Sequence, residues 1–85
     1  MLHVILMKKE QQIATWIFMM LAELKKKYGF SIKNLIVISK NFGLIRFLNE
    51  QYELLHYYDN DYIIEDVIRY IEEQGGNIHE LSGTA

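Results

Sequence analysis

The chain contains no cysteine and no proline. Without cysteine there is no disulfide framework, no thiolate metal site and no cysteine nucleophile. Without proline there is no residue that forbids helix continuation, in keeping with an all-helical chain. A strong positive charge is missing as well: the net charge is −2 and the pI about 5.9. That balance argues against a nucleic-acid binder that lacks a strong basic patch. No apolar run approaches the roughly 20 residues of a membrane span. The most apolar stretch, Trp16 to Ala22 (WIFMMLA), is closed by Glu23 and three lysines. No secretory signal is recognisable, since the lead has neither a basic n-region nor a small-residue cleavage site. A cytoplasmic protein without a membrane role is expected. No internal repeat, low-complexity segment or interdomain linker is visible.

What is present is an apolar content of 51% in 85 residues, too high for intrinsic disorder and enough for one small domain. At this size a protein partner or a second copy of the chain is an expected source of added stability.

The clearest architecture lies between Tyr52 and Gly76. Asp59, Asn60 and Asp61 are good N-cap residues, because a short side-chain oxygen accepts from the unpaired amides of a first turn. Ile63, Ile64, Val67, Ile68 and Ile71 follow at helical spacing, and Gly75 and Gly76 end the pattern. Upstream, Leu44, Ile45, Leu48, Tyr52 and Leu55 make a matching stripe. Two such helices joined by a few polar residues pack as an antiparallel hairpin. Tyr52 and Asp66 then lie at similar heights, as do His56 and Tyr62. A structural clasp of Tyr52, His56 and Asp66 is expected, with Asp66 accepting from the Tyr52 hydroxyl. His56 sits where the helix dipole and Asp59 or Asp61 favour its charged form.

Ahead of the hairpin, residues 9–28 read as a helix with Ile13, Trp16, Ile17, Met20, Leu21 and Leu24 on one face. Lys25, Lys26 and Lys27 suit its C-terminal dipole, and Gly29 follows as a cap. The run Trp16 to Ala22 is apolar all round, which marks a helix that is central in its domain or covered by another chain. Ser31 is an N-cap for a short helix over residues 32–42. The β-branched run Leu35 to Ile38 would favour a strand if read alone, but such a strand has nothing to pair with except residues 2–6. Asn41 and Gly43 break the chain before the hairpin. Residues 1–8 read as an extension, with Met7-Lys8-Lys9-Glu10 resembling a natural start and a short edge strand as the other reading. Residues 77–85 read as a flexible tail. The whole is an all-α bundle of about four helices, with residues 9–76 as its single domain.

Chemistry is sparse. His3, His56 and His79 stand in three different segments, and none has a second histidine at helical spacing, so no zinc motif is present. Ser31 and Ser39 lack a nucleophile elbow. Gly75-Gly76 ends a helix and cannot cradle phosphate at a helix start. The carboxylates read as caps and solvated faces. No enzyme activity, cofactor, metal or small-molecule substrate is expected. A protein-binding surface is expected instead, built from Trp16, Phe18 and Met19 of the first helix and from Tyr57 and Tyr58 at the hairpin turn. The alternative is a DNA-binding helix-turn-helix over residues 31–55, with Arg46, Asn49 and Gln51 on the second helix beside the unhelpful Glu50 and Glu53.

From about Gln11 to Glu73 the chain resembles a family of short, uncharacterised bacterial and phage-associated proteins. The carrying pieces are the aromatic-rich first helix, Tyr28-Gly29-Phe30-Ser31, Asn41-Phe42-Gly43, Tyr52-Glu53-Leu54-Leu55-His56, and Tyr62-Ile63-Ile64-Glu65-Asp66-Val67. The resemblance implies a gene that lies beside one encoding a protein with an ADP-ribosyltransferase-like fold, in a paired arrangement of the toxin–antitoxin kind. It implies a chain that binds and neutralises that partner, and it assigns no residue a role beyond folding.

Overall fold

Five helices account for nearly all of residues 8–81, the part of the chain that the computed structural model describes. The expectations for the apolar lead and for the last four residues lie outside it. In chain order the helices are α1 (Lys9–Tyr28), α2 (Ile32–Phe42), α3 (Leu44–Leu55), α4 (Asn60–Glu73) and the short α5 (Ile78–Leu81). The all-α expectation holds, and no strand occurs among the described residues.

Several helix ends carry the residues that the capping rules favour. Gln11 Oε1 accepts from the Lys8 amide at 3.1 Å, ahead of α1. At α2 the capping is reciprocal: Asn34 N–H donates to Ser31 Oγ at 3.0 Å, and Ser31 N–H donates to Asn34 Oδ1 at 2.8 Å. Two otherwise unpaired amides are thereby satisfied. This cap, with no sheet edge to join, explains why the Leu35–Ile38 run is helical despite its β-branched side chains. Leu35 and Ile38 are buried, while Ile36 and Val37 face outward. Gly43 alone separates α2 from α3. It caps both helices with φ 65° and ψ 38°, a left-handed conformation that glycine adopts without a Cβ penalty. Asp59 Oδ1 accepts from Tyr62 N–H at 2.9 Å to start α4. The end of α4 is a Schellman turn, in which Gly76 N–H reaches the Ile71 carbonyl and Gly75 N–H the Glu72 carbonyl. A Cβ on Gly76 would come within 2.6 Å of Ile71 Cγ2, so the chain turns back tightly against α4.

The core gathers around α1, which packs against α2, α3 and α4. Met20 and Leu24 of α1, Ile38 of α2, Leu44 and Leu48 of α3, and Ile63, Ile64, Val67 and Ile71 of α4 are fully enclosed. Phe30, from the connection between α1 and α2, joins them. Burying each such side chain contributes about 1.5–3 kcal/mol against chain entropy. Residues 78–81 of the expected tail form α5, which places Ile78 and Leu81 against the core, because the turn at Gly76 redirects the chain onto it.

The expected clasp is replaced by a different one. Asp66 accepts from Arg69 at 2.9 Å and makes no bond to Tyr52. Tyr52 instead lies edge-on to Trp16, with centroids 5.3 Å apart, and stacks on His56 at 4.2 Å. An N–H on His56 Nδ1 donates to the Tyr52 carbonyl at 2.6 Å, which closes the end of α3. The tyrosine that ties elements together is Tyr70. Its hydroxyl donates to the Phe42 carbonyl at 2.6 Å, and its ring stacks on Phe47 at 4.1 Å. That carbonyl lies in the last turn of α2, where no intrahelical amide remains to pair with it. Tyr70→Phe is therefore expected to cost about 1–2 kcal/mol, while Tyr52→Phe stays within about 0.5 kcal/mol of wild type. Urea denaturation of the two variants measures the difference, and equal midpoints would contradict the assignment.

On the outside, Lys9 and Glu53 form an ion pair between the start of α1 and α3. Their hydrogen bond, then their mutual attraction, raises the Lys9 pKa. The same bond to Lys9 lowers the Glu53 pKa. Both side chains are exposed, so the effect on stability is small. Its sign is fixed: the Glu53 contribution is present above that carboxyl's ordinary value and disappears as pH falls through the depressed one. The Lys9 contribution is lost at the other end, as pH rises through its raised value. Any difference in Tm between wild type and Glu53→Gln should accordingly shrink to zero on acidification, which a pH series of thermal melts would read.

Candidate functional site

An apolar groove runs between α1 and α2. Phe18, Leu21, Ala22 and Lys25 of α1 line it with Ile32, Leu35, Ile36, Ser39 and Lys40 of α2 and Ile45 from the start of α3, around a volume of about 500 Å³. The spacing is helical on both walls: 18, 21, 22, 25 on one, and 32, 35, 36, 39, 40 on the other. Each helix thus carries a second stripe beside the one that faces the core. Phe18 is 71% exposed, Ile32 65%, Ile36 55% and Ile45 47%. Scattered exposed apolar residues are ordinary, but a contiguous set along one groove is a candidate interaction surface.

The groove's charged members share one sign. Lys25 and Lys40 are its charged residues, and they belong to a lopsided chain. Between Leu24 and Asn49 there are six lysines or arginines and no carboxylate, whereas Glu50 to Leu81 holds nine carboxylates against Arg69. Lys27 lies 3.4 Å from Asp61 across that divide. The sequence carried this signal in the position of its charges, which the net value conceals.

The residues expected at a partner surface separate. Phe18 lines the groove, and Met19, 53% exposed, lies next to it in sequence but outside the lining. Trp16 does not belong to a surface: it is buried beside Ile17 and against Tyr52. The correction is one of helical phase, since the core stripe takes 16, 17, 20 and 24 and leaves 18 and 19 outside. Tyr57 and Tyr58 are exposed at the hairpin turn, as a surface role requires. They continue two aromatic contacts, Tyr57 on His56 at 4.0 Å and Tyr58 on Tyr62 at 4.4 Å.

Beside Gly43 lies a polar hollow lined by Ser39, Lys40, Asn41, Arg46, Tyr70 and Gln74, among others. Its most notable donor, the Tyr70 hydroxyl, is committed to the Phe42 carbonyl. Among the described residues no cluster of three His, Asp or Glu side chains is arranged to hold a metal. No helix among them is long and apolar enough to cross a membrane.

Compared with known proteins, residues 17–74 match the model of a family described as "Protein of unknown function (DUF3791)". That span holds α2, α3 and α4 whole, with most of α1. No curated protein and no solved structure matches the chain.

Proposed function

We propose that the chain, which belongs to this DUF3791 family of unknown function, is a non-catalytic protein-interaction module that acts by covering a site on its partner. The observation that carries the proposal is the groove: an apolar surface from α1, α2 and Ile45 that the other described residues leave uncovered. The resemblance in the sequence supplies a partner, the protein with an ADP-ribosyltransferase-like fold, and with it an antitoxin-like role. The module would neutralise that partner by occlusion.

A pairing of two copies through their grooves is disfavoured. An isologous contact sets each patch against itself, so the lysines of both copies would enter one interface whose lining holds no carboxylate. The DNA-binding alternative draws on the same positive charges. It is the weaker reading because Ile32, Ile36 and Ile45 occupy the surface between them, where phosphate contacts would need polar or basic groups.

The test is co-expression with the neighbouring gene product. The wild-type chain should co-purify with it as a stoichiometric complex, and Ile36→Glu should abolish the complex while leaving the circular dichroism melt unchanged. A complex that survives Ile36→Glu would remove the groove from the interface, and a wild-type chain that does not co-purify would overturn this partner. Alone, the chain should scatter light as a monomer across a concentration series. Duplex binding whose log affinity falls steeply and linearly with log salt would move the assignment to DNA.

A further inference from the structure

The geometry points to one kind of occupant for the groove: an amphipathic helix of a partner protein with acidic residues along the edges of its apolar stripe. This rests on the interaction reading above and adds the chemistry of what is recognised.

The form of the occupant follows from backbone bookkeeping. An extended segment needs partners for its amides and carbonyls, and proteins usually provide them with a free sheet edge. The described residues contain no strand, and the groove walls are helices whose backbone groups are already paired within them. A polyproline segment would call for a wall rich in aromatic rings, and Phe18 is the sole aromatic among the described residues that line the groove. A helix satisfies its own backbone and presents side chains at i, i+3, i+4 and i+7. From Phe18 to Lys25 the α1 wall rises about 10 Å, which matches about two turns of such a partner.

The charge of the occupant follows from Lys25 and Lys40. Both are exposed, both line the groove, and no carboxylate shares the lining. Glutamates flanking the partner's apolar stripe would meet them, whereas lysines there would be repelled. This selection runs against the chain as a whole, whose net charge of −2 would by itself attract a basic peptide. The local and the global field therefore predict opposite preferences.

Two synthetic peptides of about four turns separate these predictions. Both carry the same leucine stripe, and one is edged with glutamate, the other with lysine. Each is labelled and titrated with the full chain by fluorescence anisotropy at about 50 mM and about 500 mM salt. The glutamate peptide should bind about tenfold more tightly at low salt, and the gap should narrow at high salt. The variant carrying both Lys25→Glu and Lys40→Glu should reverse the preference with its helical spectrum intact, since both side chains are solvated. Ile36→Glu should weaken both peptides. Equal binding, a preference for the lysine peptide, or no binding of either would overturn the inference. If that happens while the partner complex still depends on Ile36, the groove remains an interface and the acidic helix alone is withdrawn. If the complex also fails, the interaction reading falls with it.

Discussion

The arrangement depends on a single helix that three others must share. α1 presents Trp16, Ile17, Met20 and Leu24 inward, and α2, α3 and α4 all pack against it. A chain of this size has enough side chains for one enclosed layer and little more. Once α3 and α4 cover the inner stripe of α1, the second stripe at Phe18, Leu21 and Ala22 meets, among the described residues, the flank of α2 and Ile45. The groove is what remains when two helices carry two apolar faces each and the domain can bury one. Its existence follows from the apolar run WIFMMLA, and its shape follows from where α2 lies.

The position of α2 is set by a corner with little freedom. Gly43 is the entire connection between α2 and α3, and the last carbonyls of α2 emerge beside it. Tyr70 reaches across from α4 to accept that corner into the core, with its ring on Phe47 and its hydroxyl on the Phe42 carbonyl. One side chain thus meets all three elements, α2, α3 and α4. The groove-facing stripe of α2, from Ile32 to Lys40, is held in phase by the same contact, because rotating α2 would pull the Phe42 carbonyl from its donor. Fold and candidate site share this restraint.

Local rules made much of the architecture legible. The cap at Asp59, the isoleucine stripe of α4, the stop at Gly75, and Ser31 and Gly29 on either side of Phe30 all lie where side-chain chemistry places them. What stayed hidden depends on phase or on backbone partners. Periodicity already set Trp16 on the face of Ile17, Met20 and Leu24, but the all-round apolar run also suggested it for a partner surface, and tertiary packing kept it in the core. Tyr52 has a carboxylate at a matching height, which makes a pairing easy to imagine, but Asp66 is drawn to Arg69 one turn along its own helix. The real partner of a hydroxyl, the Phe42 carbonyl, leaves no mark in the sequence. Ile78 and Leu81 form too short a pair to show a period. The groove was half legible: the excess apolar surface of the first helix was visible, but its second wall at Ile32, Leu35 and Ile36 required the fold.

The division of charge gives that groove a further property. Most basic residues stand on the segment that builds it, and most carboxylates stand on the hairpin behind. Two copies meeting groove to groove would bring four lysines together in a dehydrated contact, where like charges repel more strongly than in water. Two copies meeting groove to hairpin would satisfy the charges but would present the apolar walls with the solvated acidic face of α4, which offers Asp61, Glu65, Glu72 and Glu73. Neither arrangement supplies apolar cover and opposite charge at once, and a heterologous contact of the second kind does not close on itself. On the interaction reading proposed above, a surface that attracts apolar groups would thereby be kept from its own copies. On that reading it would stay open in a small acidic protein without driving self-association, and specificity would come as much from the pairings that fail as from the one that fits.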